Sequence, residues 1–231
     1  MNIHEDVNGD AQSDRAIQYV NKPPSYFANA PRRPLALLSE LRGADVLEIG
    51  CGSGELGRRA LEEGYASTYT GVELSTNAAE IARQFLTSVH CGDIEKLNID
   101  LSGDGFDLVI CSEVLEHLVD PWKIVSDLFR RIKPGGLIAA SSPNIAHFAI
   151  IRELLKGRFE YSMSGPMDLT HLRWFTPDGF KGMFADAGFD IITSEPLTPL
   201  RIKARIINSL TAGRLRHLLY TQNYIVCRKP N

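Results

Sequence analysis

Cysteine is scarce: only Cys51, Cys91, Cys111 and Cys227 occur, and no two of them form a C-x-x-C pair. Such scattered thiols argue against a disulfide framework or a structural zinc site, and point to a reducing compartment. No run approaches the ~18 consecutive apolar residues of a membrane span. The first residues carry acids at Glu5, Asp6, Asp10 and Asp14 and no apolar stretch, so they do not read as a signal peptide. A cytoplasmic protein with a mobile N-terminal tail is the expectation. Positive charge is not in excess either, with Lys+Arg 25 against Asp+Glu 28 and a net charge of −3. That balance makes nucleic-acid binding an unfavoured role. Repeats and low-complexity segments are absent. What remains is ordinary globular material, 44% hydrophobic and 23% charged over 231 residues, enough for one well-cored domain.

Along that domain the pattern alternates. Leu35, Leu38 and Leu41 predict a helix over 32–41. From Val46-Leu47-Glu48-Ile49 onward, short apolar runs alternate with helical stretches. Strands are expected at 46–49, 68–72, 88–91, 106–111, 137–141, near Ile191 and at 224–227. Helices are expected at about 55–63, 76–85, from Pro121 to the Pro134-Gly135-Gly136 stop, and at 177–187 before Gly188. Strands alternating with helices of this length specify an α/β, doubly wound, mostly parallel sheet with helices on both faces. Residues 31–231 would be that single domain, with 1–30 as tail and lid.

Ligands of such sheets sit beyond the carboxyl ends of the strands. The first strand ends in Glu48-Ile49-Gly50-Cys51-Gly52-Ser53-Gly54-Glu55, where Gly50, Gly52 and Gly54 let backbone approach a ligand closely. The next strand-end acid, Glu73, comes about twenty residues on, a spacing suited to ribose hydroxyls. Gly52 to Gly57 matches G-x-G-x-x-G, so an NAD-dependent oxidoreductase is one reading. In strand register, however, Gly50 is the first glycine, and Glu55 falls where the third belongs. Carboxylates at 48 and 55 would repel a pyrophosphate and welcome an ammonium and a sulfonium.

These residues resemble motif I of the class I S-adenosylmethionine-dependent methyltransferases. Glu73 is similar to that family's ribose-binding acid, and Gly92-Asp93-Ile94 to its adenine-contacting segment. Phe106-Asp107-Leu108-Val109 and Leu128 to Gly136 resemble its fourth strand and the turn into its fifth. The resemblance implies a Rossmann-like seven-stranded sheet that binds S-adenosyl-L-methionine and releases S-adenosyl-L-homocysteine. It also implies roles. Glu48 and Gly50 would hold the methionine end, with Cys51, Gly52 and Gly54 lining the turn. Glu73 would take the ribose, Leu74 and Ile94 would flank adenine, and Asp93 would bond its amino group. Ser112 and Glu113 would lie near the sulfonium.

Glu113, Glu116 and His117 recur at i, i+3 and i+4, which on a helical turn would share one face. With His171, far along the chain, they resemble the E-x-x-E-H pattern of metal-assisted O-methyltransferases, small bacterial ones included. Two of those groups methylate catechol intermediates of the ubiquinone pathway and the terminal 2′-hydroxyl of small RNAs. The resemblance implies Mg2+ or another divalent cation on Glu113, Glu116, His117 and His171. A metal-free alternative keeps His171 or His117 as the catalytic base on a hydroxyl. The expected reaction is O-methylation of a sugar, glycan precursor or small metabolite, with RNA 2′-O-methylation as an alternative.

Tyr26 and Phe27 are candidate lid residues for the substrate, or cover for the core. His147 is either a substrate contact or a loop residue. Arg173, with Arg152, Lys156 and Arg158, would suit an acidic substrate. Between about 197 and 221 lies a basic helical insertion. No Asp or Glu occurs from 196 to 231, while Arg201, Lys203, Arg205, Arg214 and Arg216 do. Such a segment either meets a membrane surface, polyanion or partner, or simply covers the sheet edge.

Overall fold

Leu108, Val109, Ile110 and Cys111 have no exposed surface, which fits a strand covered on both faces. A computed structural model describes residues 31–97 and 105–231. Helix α1 (Arg32–Leu41) leads into β1 (Ala44–Ile49), α2 (Glu55–Glu62), β2 (Ala66–Glu73), α3 (Thr76–Ala82) and β3 (Ser88–Cys91). Then come β4 (Phe106–Ser112), a 3-10 turn (Leu115–His117), α4 (Pro121–Arg131), β5 (Ile132–Pro143) and α5 (Phe148–Leu155). The chain closes with α6 (Pro177–Asp186), β6 (Asp190–Pro196), α7 (Ile202–Leu210), a second 3-10 turn (Arg216–Leu218) and β7 (Gln222–Arg228). The seven strands form one sheet in the order β3-β2-β1-β4-β5-β7-β6. All neighbours from β3 to β5 are parallel, and β7 runs antiparallel between β5 and β6. Strand order therefore reverses between β1 and β4, the switch point at which such sheets bind ligands.

Side-chain alternation sorts the core. Leu47 and Ile49 enter one cluster with Val109, Phe180, Phe184 and Ile225. Val46 enters the other with Leu38, Tyr69, Leu108 and Ile110. Glu48 has the parity of Val46, so its carboxyl meets Tyr69. Local signals set the helix starts: Asp120 and Thr176 cap α4 and α6 with their side chains, each followed by proline. Gly188, at φ +99°, ends the α6 segment as expected.

Two boundaries differ from expectation. Helix α4 stops at Arg131, so Pro134-Gly135-Gly136 lies inside β5 and produces its register shift opposite β4. Helix α3 ends at Ala82 rather than near Phe85. Among the described residues no helix is long and apolar enough to cross a membrane.

Candidate active site

Gly50, Gly52 and Gly54 all have positive φ, +74°, +54° and +81°, as the alternate-glycine turn requires. A Cβ on Gly50 would stand 2.4 Å from Val114 Cγ2, so the turn and the loop after β4 touch where only hydrogen fits. Glu73 stitches the turn to β2: its Oε2 accepts from Gly52 N at 2.8 Å and its Oε1 from Ser75 N at 2.7 Å. Burial pushes its carboxyl up while those amides pull it down. Glu48 is 4% exposed and accepts from Tyr69 Oη at 2.8 Å. Burial drives its pKa up to about 8 despite that bond, and the Glu73 charge adds to the rise.

A cavity of about 770 Å³ opens over this turn at the β1–β4 switch point. Every predicted cofactor position lines it except Gly54, which sits beneath, against Ala82 and Leu86. Glu48, Gly50, Cys51, Gly52, Glu73, Leu74, Asp93, Ile94, Ser112 and Glu113 thus share one wall. Glu55 does not reach it; Arg58 takes its carboxylate at 2.8 and 3.0 Å.

The same cavity is lined by Glu116, His117 and His171, each offering one ligand atom within 4.8 Å of the others. Backbone geometry builds this group. Leu172 N and Arg173 N both donate to Glu116 O, at 2.8 and 3.0 Å, and so clamp the later loop onto the 3-10 turn. The two rings meet edge-on with centroids 4.7 Å apart. His117 Nδ1 lies 3.1 Å from Thr170 O, and His171 Nδ1 3.1 Å from Pro166 O. A carbonyl can only accept, so both Nδ1 atoms carry the proton and both Nε2 atoms carry the lone pair. Glu116 is 1% exposed, and neither of its oxygens has a hydrogen-bond partner among the described residues. Burial, with Glu113 and Asp168 nearby, pushes its carboxyl well above the ordinary range.

Glu113 departs from the expected helical face. Its φ is +54°, and the 3-10 turn covers only Leu115–His117, so i, i+3 spacing does not align it with Glu116. Its Oε2 instead accepts from Gln222 Nε2 at 3.0 Å. The four expected cation ligands are therefore three together and one apart.

The expected substrate residues fare differently. Tyr26 and Phe27 lie outside the described residues. His147 does not line the cavity; it precedes α5 with its ring on Phe148. Arg173 also points elsewhere, its guanidinium bonded to the carbonyls of Val119 and Leu172. Arg152, Lys156 and Arg158 all pair with Glu153, so these three form no basic wall for the site. In their place the cavity gains Ser141, Asp168, Thr170 and Gln222. Asp168 lies three residues before His171 in the same loop, but nothing local marks Gln222, which arrives by the antiparallel return of β7.

Sheet order, glycine turn and strand-end acids define a class I S-adenosylmethionine-dependent methyltransferase. The chain belongs to the methyltransferase-domain family, whose profile matches residues 25–194. It is 36% identical over 186 residues to the ubiquinone biosynthesis O-methyltransferase of Thiobacillus denitrificans, covering 75% of this chain and 79% of that one. To the protein of the same name from Coxiella burnetii it is 30% identical over 129 residues, so the match spans about half of that relative, 53%. An S-adenosylmethionine-dependent methyltransferase structure from Archaeoglobus fulgidus shares the fold at TM-score 0.64 and 22% identity, covering 89% of this chain and 97% of that one. The site suits the family's methyl donor: two buried carboxylates beside a turn whose glycines leave room for it favour a cationic amino acid over a diphosphate.

Proposed function

We propose that this protein O-methylates a small molecule bearing adjacent hydroxyls, with a divalent cation held by Glu116, His117 and His171. The observation that carries it is the buried, unpartnered Glu116 carboxylate beside two imidazoles whose Nδ1 protons are already committed to backbone. A full carboxylate so placed is costly unless a cation sits against it. The relatives' name, O-methyltransferase, supports oxygen as the acceptor atom.

In this reading Glu48 receives the donor's ammonium, Glu73 its ribose hydroxyls, and Asp93 its adenine amino group, with Leu74 and Ile94 on the ring faces. Ser112 and Glu113 flank the reacting centre. S-adenosylmethionine supplies the electrophilic methyl when bound, and a cation would lower the pKa of the hydroxyl presented to it. Glu116, His117 and His171 fix where that hydroxyl can lie. Because they line the same cavity as the Gly50 turn, they would set the line between acceptor and donor. Either imidazole Nε2 can take the hydroxyl proton if no cation is used.

Methyl transfer from radiolabelled donor to a panel of catechols, sugars and a short RNA, with and without chelator, tests this. Label on a catechol-like hydroxyl, lost with EDTA and restored by Mg2+ or Mn2+, is expected. Chelator-indifferent transfer would leave His171 as base and remove the cation; label on RNA alone would overturn the small-molecule assignment.

A further inference from the structure

The segment between β6 and β7 is built inside out. In α7, Ile202, Ile206 and Leu210 fall at i, i+4 and i+8 and share one face. They are 75%, 55% and 82% exposed. The half-buried positions are Ala204 and Asn208, on the opposite side. A surface helix ordinarily turns its apolar stripe inward; this one presents it to solvent.

Charge flanks the stripe. Lys203 and Arg205 are exposed beside it, and Arg201, Arg214 and Arg216 lie close in the chain. Elsewhere on the surface a neighbouring acid offsets such charge, as Glu62 does for Arg58 and Asp127 for Lys123. From 196 to 231 there is no acid to do so.

We propose that α7 docks this protein on an anionic lipid surface, Ile202, Ile206 and Leu210 entering the headgroup boundary while the bases meet lipid phosphates. Charge alone would suit any polyanion, and an apolar stripe alone any protein. An anionic lipid interface uses both at once along one short helix. The position gives docking a consequence. Leu197 before the insertion and Thr221 and Gln222 after it line the cavity. Asn144 Nδ2 holds the insertion's end, donating to His217 O at 2.7 Å and Tyr220 O at 2.9 Å. The cavity rim is thereby fixed to the docking element, so the site works beside the lipid surface. Docking by α7 does not depend on which reaction the cavity carries out.

The test is flotation of the full chain with vesicles of phosphatidylcholine alone and of phosphatidylcholine mixed equally with phosphatidylglycerol. Binding to the anionic vesicles only, weakened by salt, is expected. An Ile206→Asp/Leu210→Asp double variant should bind at least about tenfold more weakly, with its S-adenosylhomocysteine-induced thermal shift unchanged as proof of fold. Lys203→Gln/Arg205→Gln should weaken binding at low salt. No flotation with either vesicle, or a double variant that floats like the parent, would overturn the proposal. So would short-RNA binding that the double variant retains, or a self-association that it abolishes while vesicles bind neither form.

Discussion

Tyr69 Oη donates to Glu48 Oε2 at 2.8 Å, joining β2 to β1 at the edge of the donor cavity. Tyr69 has no exposed surface, so this bond is the carboxyl's link to a dry interior. With a pKa near 8, Glu48 holds its proton at neutral pH before ligand arrives. An ammonium favours the ionised form and lowers that pKa. Binding of S-adenosylhomocysteine at pH 7 should therefore release about one proton from Glu48. Calorimetry in two buffers of different ionisation enthalpy reads it directly. Buffer-independent heat in the parent, or proton release that persists in Glu48→Gln, would contradict the assignment.

The same burial costs stability. A carboxyl whose folded pKa lies above its ordinary 4.5 keeps a proton that the unfolded chain has lost. Folding stability then falls as pH rises from about 4.5 to about 8, and levels off above. Glu48→Gln should remove that slope, with a gain of order 4 kcal/mol at pH 8 that vanishes near pH 4. Urea unfolding at both pH values checks it, and the same variant should bind donor product more weakly.

Much of this was legible because short apolar runs between glycine and proline punctuation are a strong local signal. Val46 to Ile49, Leu108 to Cys111 and Thr176-Pro177 each declare an element within a few residues. The cavity lining around the glycine turn was equally readable, since those residues lie just beyond strand ends. The lining contributed by the later loops was not. Glu113 leaves the helical register because its backbone takes a left-handed φ, which i, i+3 spacing does not encode. Arg173 is spent on backbone carbonyls, and Arg152, Lys156 and Arg158 on Glu153, partnerships set by tertiary placement.

Gln222 illustrates the same limit and yields its own test. Glu113 is a buried carboxyl whose Oε2 accepts from Gln222 Nε2, and the Ser141 and Gln222 side chains both favour its ionised form against burial. Gln222→Leu should cost about 1–3 kcal/mol, the penalty of a buried acceptor left unmade. Thermal unfolding should show the loss grow as pH rises above the ordinary carboxylate range, because Gln222 favours the ionised carboxyl against burial. An unchanged melting temperature would mean that this pair carries no load.

Gly50 separates crowding from backbone strain. Alanine there would drive its Cβ into Val114 Cγ2 at 2.4 Å, besides adopting φ +74°. Gly64 has nearly the same φ, +69°, with nothing within 4 Å. Gly64→Ala should cost about 1 kcal/mol, the left-handed penalty alone. Gly50→Ala should cost about 3 kcal/mol or more, since overpacking adds to strain. It should also weaken S-adenosylhomocysteine binding by displacing the loop that carries Val114. Equal losses at the two sites would show that Val114 yields freely.

The cation assignment can be read without turnover. Glu116 is an acid enclosed with two imidazoles, so any divalent ion bound there stabilises the folded chain by mass action. At an ion concentration a hundred times its dissociation constant the gain is about 2.7 kcal/mol. Melting curves of the chelated protein should rise on adding Mn2+ or Mg2+, and the rise should disappear in Glu116→Gln and His171→Ala. Glu116→Gln should not lower the melting point of the chelated form, because it removes a buried carboxyl whose oxygens have no hydrogen-bond partner among the described residues. S-adenosylhomocysteine affinity should stay within a few-fold in both variants, since neither residue is among those assigned to the donor. A chelated parent that gains nothing from either ion would return His117 and His171 to proton transfer alone.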